Sequence, residues 1–330
     1  MTKKPVAILG ASGIVGQKMI LLIEKSSNFY VEEIVGSPSR VGKKVADSLP
    51  WHQKQACPSH ICDKIFSPPQ AIQSRYVLSA LPASVAQDLE PELAQKGHLV
   101  ISNASAFRMV PNVPLVIPEI NGHLLQPYQS LAHTGTKGAI ITNPNCVVCI
   151  LALALKPLLD LGPIDHLFAT TLQSASGAGY PGVPSLDLIN NIVPNIPQEE
   201  EKICEELQKI FLNVPLPISL QVNRVPVREG HMISLHVAYK QEVSVKTVRK
   251  ALIQWSAAHH NILSFYDDPY APQIQRHLGE EDMSIHVGRL EQGGAPHVIR
   301  LVILGHNLIR GAAGAALANL ELIENGSYDV

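Results

Sequence analysis

The chain has 330 residues, 46% of them hydrophobic and 16% charged, which suits one to three globular domains with sizeable cores. Lysine and arginine number 26 against 28 aspartates and glutamates; the formal net charge of −2 excludes a general affinity for nucleic acid or an anionic membrane. The five cysteines (Cys57, Cys62, Cys146, Cys149 and Cys204) are odd in number, and the chain is too large and apolar to need a disulfide frame, so a reducing cytoplasm is expected.

Residues 1–5 are a short polar lead without the usual secretory pattern, and the longest strongly apolar stretch, 147–155, is too short to span a bilayer. Strand, turn and helix come first. Residues 6–9 form an apolar run of buried-strand type, a glycine-rich loop fills 10–16, and Met19, Ile20, Leu22 and Ile23 recur at helical spacing over 17–25. Further strands are predicted at 31–35, 76–81 and 98–102, with a helix over 84–95. This alternation predicts an α/β fold, a Rossmann-type parallel sheet with right-handed crossovers.

A second region starts near Asn143. The pattern predicts an apolar helix over 147–159, a strand over 166–173 and a Gly/Pro-rich loop over 177–184. A polar helix over 198–211 follows, with Ile203, Leu207, Ile210 and Phe211 on one face. Strands at 219–227 and 231–239 precede a helix over 245–259, a loop over 266–275 and a strand over 297–304. The alanine-rich helix 310–324 suits close packing on a sheet and is expected to return to the first domain. The expected division is 1–143 plus 307–330 for the Rossmann-type domain and 144–306 for an α+β domain.

The loop Gly10-Ala11-Ser12-Gly13-Ile14-Val15-Gly16 lies where a dinucleotide phosphate loop belongs. Glycine lets the backbone approach a pyrophosphate, and the helix start supplies N–H groups and partial positive charge. Its G-x-x-G-x-x-G spacing departs from the common G-x-G-x-x-G. After the second strand, where an acidic residue would bind ribose hydroxyls, stand Ser37, Ser39, Arg40, Lys43 and Lys44. Cations and hydroxyls there favour NADP; the same run also reads as a solvated basic loop.

Asn145 is of helix-capping type and precedes the apolar helix, which puts Cys146 in the first turn, where the dipole and free N–H groups favour a thiolate. Cys149 falls deeper in the apolar run and reads as core. Cys57, Cys62, His52 and His60 lack a second matching pair, so no metal site is expected, and Cys204 reads as structural. His231 begins a strand just after Gly230 and can serve as a base or proton shuttle, although it is one of fourteen histidines. Arg108 follows a strand at its carboxyl end, where ligands of parallel sheets gather, and can hold phosphate bidentately.

Together these motifs resemble the aspartate-semialdehyde dehydrogenases, most closely the branch shared by archaea and fungi, over nearly the whole chain. Residues 10–16 are similar to the family's G-A-T-G-x-V-G loop, with Ser12 in place of threonine. Asn143-Pro144-Asn145-Cys146 resembles the nucleophile motif, and residues 174–187, 199–202, 223–231 and 306–314 follow in the family's order.

The resemblance implies NADPH-dependent reduction of β-aspartyl phosphate to aspartate β-semialdehyde. Cys146 would expel inorganic phosphate and form a thioester, with His231 as general acid/base and Gln173 orienting the acyl group. Arg224 would clamp the substrate carboxylate, and Glu199, or Glu200 one step on, would meet the ammonium. Arg108, Asn103 and Lys202 would hold phosphate. The implied cofactor set is Gly10, Ser12, Gly13, Ile14, Val15, Ser39 and Arg40, with Ser176, Gly177 and Asn307 on the nicotinamide half. The α+β domain would carry catalysis and dimerisation in a homodimer or homotetramer. The product would feed lysine, diaminopimelate, threonine and methionine biosynthesis. A rival family, N-acetyl-γ-glutamyl-phosphate reductase, typically has glycine before its cysteine, where this chain has Asn145. A non-catalytic nucleotide-binding homologue is expected to lose the cysteine or the histidine, and both are present.

Overall fold

A computed structural model describes residues 2–134, 137–212, 214 and 216–327. Among the described residues, those up to Pro144 and those from Ala312 to Ser327 form one compact unit; Asn145–Gly311 forms another. Residues 1, 135–136 and 328–330 of the expected first domain, and 213 and 215 of the expected second, lie outside the described residues.

The first unit is a doubly wound α/β fold of Rossmann type. Its strands are β1 (Lys4–Leu9), β2 (Phe29–Val35), β3 (Tyr76–Ser79), β4 (Leu99–Ser102) and β5 (Ala139–Thr142), in the order β2-β1-β3-β4-β5 and all parallel. The central strands are apolar along their length because both faces are covered. One face packs Val6 and Ile8 against Met19, Ile20 and Ile23 of α1 (Ile14–Lys25) and against Ala316, Leu320 and Ile323 of the last helix, Gly314–Asn325. The other face packs Ala7, Leu9, Val77 and Val100 against Leu93 of α2 (Ala83–Gln95). Glu324 ties the last helix to the sheet by accepting from Lys4 Nζ and the Tyr76 hydroxyl.

The second unit holds a six-stranded mixed sheet: β6 (Ile164–Ser174), β7 (Ile218–Val225), β8 (His231–Tyr239), β9 (Leu263–Phe265), β10 (Ile285–Gln292) and β11 (Val298–Gly305). Their order is β7-β6-β8-β11-β10-β9; β6/β7 and β9/β10 are parallel and the other neighbours antiparallel. Helices α3 (Cys146–Leu159), α4 (Glu199–Ile210) and α5 (Val245–Ala258) form one layer on this sheet. The opposite face presents Phe168, Ser219, Gln221, Ser234, His236 and Arg300, all exposed and alternating with buried or half-buried neighbours as strand geometry requires.

Residues 307–311, expected in the first domain, stay with the second unit. Asn307 explains this: its side chain is bonded to the Gly230 N–H and to Ser176, both within the second unit. The last helix also starts later than expected, at Gly314, because Ile309–Ala313 is a π-helical turn.

Candidate active site

Cys146 is the first residue of α3, and Asn145 holds that helix start with every polar group it has. Its Oδ1 accepts from Val147 N–H (2.8 Å) and Val148 N–H (3.4 Å), and its carbonyl accepts from Cys149 N–H (2.9 Å). Its own N–H donates to Glu206 Oε2 (2.6 Å), and its Nδ2 donates to Glu199 Oε1 (2.9 Å). Cys146 is thus half-buried at the positive end of a fourteen-residue helix, where negative charge is favoured. Gly311 closes the rear: a Cβ there would stand 2.5 Å from Cys146 Cβ.

The Cys146 sulfur lies 3.2 Å from His231 Nε2. His231 is fully buried at the first position of β8. Burial, reinforced by the Arg224 charge, pushes its imidazole down to about 3, so the ring is neutral at physiological pH. Its Nδ1 accepts from the Ser174 N–H (3.1 Å) and lies 3.2 Å from Ser174 Oγ.

Arg224 and Gln173 occupy paired positions on β7 and β6, and both are buried. Arg224 Nη1 donates to the Ser174 carbonyl (2.7 Å). Burial lowers the Arg224 pKa, while the charges of Cys146 and Glu199 oppose that shift. Gln173 Nε2 donates to Thr171 Oγ1 (3.4 Å). Gly177 packs against this group: a Cβ there would lie 2.6 Å from Arg224 Nη1 and 3.2 Å from His231 Nε2. Asn307 Oδ1 accepts from Gly230 N–H (2.8 Å), and its Nδ2 donates to Ser176 Oγ (2.9 Å).

The two candidate acids of α4 diverge. Glu199 reaches Asn145 beside Cys146, whereas Glu200 Oε1 accepts from Val222 N–H (3.1 Å) on β7. Lys202 lies one turn beyond Glu199 and is half-buried. A buried arginine, an acid and a thiol beside a neutral imidazole make a setting for nucleophilic attack on a small charged acyl group.

In the first unit, Gly10 ends β1 with φ +76°, and a Cβ there would stand 2.5 Å from the Ala80 carbonyl oxygen. A Cβ at Gly16 would stand 2.4 Å from the Gly10 carbonyl oxygen. Gly13 sits at the N-cap without a side-chain cap bond, followed by half-buried Ile14 and Val15, with half-buried Ser12 before it. A glycine-only cradle opening onto the start of a twelve-residue helix suits a dinucleotide pyrophosphate.

After β2, Arg40 is anchored through Nε to the Ser48 carbonyl (3.2 Å), Ser39 Oγ is 3.0 Å from Ser37 Oγ, and Lys44 pairs with Asp63 (2.8 Å). At the carboxyl ends of the strands, Arg108 Nη2 donates to the Asn103 carbonyl (2.7 Å). Asn143 Nδ2 donates to Asn103 Oδ1 (3.1 Å), and Asn319 Nδ2 donates to Asn143 Oδ1 (2.6 Å).

No cluster of three or more His, Cys, Asp or Glu able to hold a metal occurs among the described residues. Burial and the hydrogen bond to Cys62 push the Cys57 thiol up to about 12. Sequence reasoning missed Glu206, Ser174 and Gly311. Glu206 left a readable signal: it shares the buried face of α4 with Ile203 and Ile210, where an acid needs a reason. Ser174 and Gly311 left none beyond belonging to recognised motifs.

A model described as semialdehyde dehydrogenase, NAD binding domain, matches residues 5–127, and one described as semialdehyde dehydrogenase, dimerisation domain, matches 155–310. The aspartate-semialdehyde dehydrogenase of Archaeoglobus fulgidus is 38% identical over 96% of this chain and 97% of its own. That of Candida albicans is 34% identical over 98% and 99%. A crystal structure of the Candida albicans enzyme with NADP matches at TM-score 0.87 and 31% identity, covering 98% of both chains. Aspartate semialdehyde dehydrogenase II of Vibrio cholerae complexed with ASA matches at TM-score 0.81 and 25% identity, again over 98% of both. With archaeal and fungal relatives aligned along almost its entire length, the chain belongs to the aspartate-semialdehyde dehydrogenase family.

Proposed function

We propose that this chain reduces β-aspartyl phosphate to aspartate β-semialdehyde with NADPH, as a step of amino-acid biosynthesis. The observation that carries the reading is the Cys146 sulfur, 3.2 Å from a buried, neutral His231 at a capped helix start. The thiolate attacks the acyl carbon; the carbon–oxygen bond to phosphate breaks, inorganic phosphate leaves, and a thioester remains on Cys146. NADPH, when bound, would supply a hydride to the thioester carbon; the carbon–sulfur bond then breaks, releasing the aldehyde and the Cys146 thiolate.

Gln173 orients the acyl group and His231 attends to protons beside the sulfur. Arg224 meets the substrate carboxylate, since a buried guanidinium left without an anion is costly. Glu199 receives the ammonium, a reading supported by its reach to Asn145, while Glu200 accepts from the Val222 N–H on β7. For phosphate, the reading assigns Arg108 and Asn103 in the first unit and Lys202 in the second. Gly10, Ser12, Gly13, Ile14 and Val15 hold the pyrophosphate, Ser39 and Arg40 the 2′-phosphate, and Ser176, Gly177 and Asn307 the nicotinamide half.

A homodimer or homotetramer is supported by the match to a dimerisation model and by the exposed Phe168 on the open sheet face. No helix among the described residues is long and apolar enough to cross a membrane. Five free cysteines support a cytoplasmic location.

The test is phosphate-dependent oxidation of aspartate semialdehyde with NADP. Cys146→Ala abolishes it while NADPH binding, followed by fluorescence, survives; substantial residual turnover would sink the mechanism. Run in parallel, N-acetylglutamate semialdehyde is expected to be a poor substrate, and a preference for it would move the assignment to the rival reductase.

A further inference from the structure

Cys57 and Cys62 take no part in the proposed reaction, yet the first unit brings them together. Pro58 is the N-cap of the short helix Ser59–Cys62, so Cys57 stands at N′ and Cys62 at N4. Side chains at those two positions meet across the start of a helix, and an apolar pair there forms a hydrophobic staple. Here the staple is made of two thiols. Cys62 Sγ lies 3.8 Å from the Cys57 carbonyl oxygen, Cys57 Sγ lies 3.7 Å from the Pro58 carbonyl oxygen, and the two thiols are hydrogen-bonded to each other. Both are half-buried and neither is in a disulfide.

The pair is tied to the loop assigned to the cofactor. Asp63, the next residue, pairs with Lys44 (2.8 Å). Beyond it, 64–66 run antiparallel to 43–45: Val45 N–H donates to the Lys64 carbonyl (2.9 Å) and Phe66 N–H to the Lys43 carbonyl (3.0 Å). Arg40 is anchored to the Ser48 carbonyl at the end of the helix Val45–Ser48. A shift at Cys62 therefore passes through main-chain bonds to that helix, and so to the anchor of Arg40.

We propose that Cys57 and Cys62 form a redox-modification site: hydrogen peroxide converts the dithiol to an intramolecular disulfide, and the disulfide weakens NADPH binding by displacing the Arg40 loop. The second half rests on the assignment of Ser39 and Arg40 to the 2′-phosphate. The Cys62 thiolate attacks a peroxide oxygen; the oxygen–oxygen bond breaks, and hydroxide leaves to take up a proton as water. Cys62 is then a sulfenic acid. The Cys57 sulfur attacks the Cys62 sulfur, the sulfur–oxygen bond breaks, and a second water leaves with the Cys57 proton. Two thiols are oxidised and one peroxide is reduced; a thiol reductant reverses the change.

The surroundings divide the two roles. The Lys44 pKa is raised, chiefly by Asp63 and also by Cys62, so a cation stands close enough to steady a Cys62 thiolate. Cys57, pushed up to about 12 by burial and by Cys62, is held back as the resolving thiol. A sulfur–sulfur bond of about 2.05 Å is far shorter than a hydrogen bond between thiols, so closing it must move the segment 57–62.

The test has two arms on the full chain. Lys54 and Lys64 bracket both cysteines, so trypsin releases them in one peptide, 55–64. After peroxide treatment, mass spectrometry is expected to show that peptide short of two hydrogens, closed to alkylation, and restored by dithiothreitol. In Cys57→Ser, dimedone is expected to trap a sulfenic acid at Cys62. A peptide that stays reduced, or that passes to sulfinic acid without the disulfide, overturns the site. The second arm follows NADPH and NADH binding by fluorescence in Cys146→Ala, which removes the other reactive thiol. Oxidation is expected to weaken NADPH binding about 10-fold, the worth of one charge-assisted contact, and to leave NADH unchanged. Adding Cys57→Ser and Cys62→Ser together is expected to abolish the effect. No loss, or equal losses for both nucleotides, overturns the link to the Arg40 loop. Reduced protein that binds NADH as tightly as NADPH overturns the 2′-phosphate assignment itself, whereas the mass of the peptide judges the disulfide without it.

Discussion

Asn145 is joined to Val147, Val148, Cys149, Glu199 and Glu206 at once, so the residue before Cys146 is held from every side. Cys146 inherits that fixity on its chain side, and Gly311 supplies it from behind. Replacing Gly311 by alanine puts a methyl carbon 2.5 Å from Cys146 Cβ, a separation that real carbon atoms do not adopt. The sulfur must move, and a misplacement of about 1 Å costs on the order of 100-fold in rate. Gly311→Ala is therefore expected to lower kcat by about that factor while the fold persists, read from steady-state kinetics beside a thermal melt; near-normal kcat would show that the helix start yields without consequence. The cap and the cysteine were legible in the sequence, because an N-cap residue acts on its immediate neighbours. Gly311 was not, since its constraint arises only when residues far apart in the chain meet.

Among the elements, α2 carries an acid that no sequence pattern singles out. Glu90 is buried against the ends of β3 and β4, where it accepts from Ser102 Oγ at 2.7 Å. Burial raises its pKa above the ordinary glutamate range, against the opposing pull of the Ser102 and Ser79 hydroxyls. A carboxyl raised in the folded state contributes stability that is fully present below its unfolded pKa and lost as pH rises through the folded value. Glu90→Gln removes that titration. It is expected to be more stable than wild type at neutral pH, with the gap closing toward pH ~4, checked by urea melts across the range. A constant gap would mean that Glu90 does not titrate on folding. The strands that sequence patterning located, such as β1 and β8, are apolar runs or clean alternations. Those it overlooked, β5, β9 and β10, are short or interrupted: β9 has three residues, and β10 changes register between Gly288 and Glu291. Their pairing is decided by neighbours in space, which a local window does not see.

At the scale of the whole molecule, alternating strands and helices revealed the class of the first unit, but not the strand order of either sheet. That β6 runs parallel to β7 and antiparallel to β8 depends on connections whose routes leave no compositional mark. The open face of the second sheet has a consequence for assembly. Phe168 is 52% exposed there with His166 packed beside it, the ring centroids 4.4 Å apart. If copies of the chain associate through this face, Phe168→Asp buries a charge at the interface and shifts the solution mass toward the monomer by light scattering. An oligomer that persists at micromolar concentration would place the interface elsewhere.

The glycine-rich loop 10–16 lies at the point where the first sheet reverses its strand order, between β1 and β3. Gly10 is pressed against Ala80, and Gly16 against Gly10, with no room for a side chain at either. The loop is thereby preorganised by its own scaffold. If the proposed nucleotide binds there, it need not order a flexible segment, and little of its affinity is spent on lost conformational entropy.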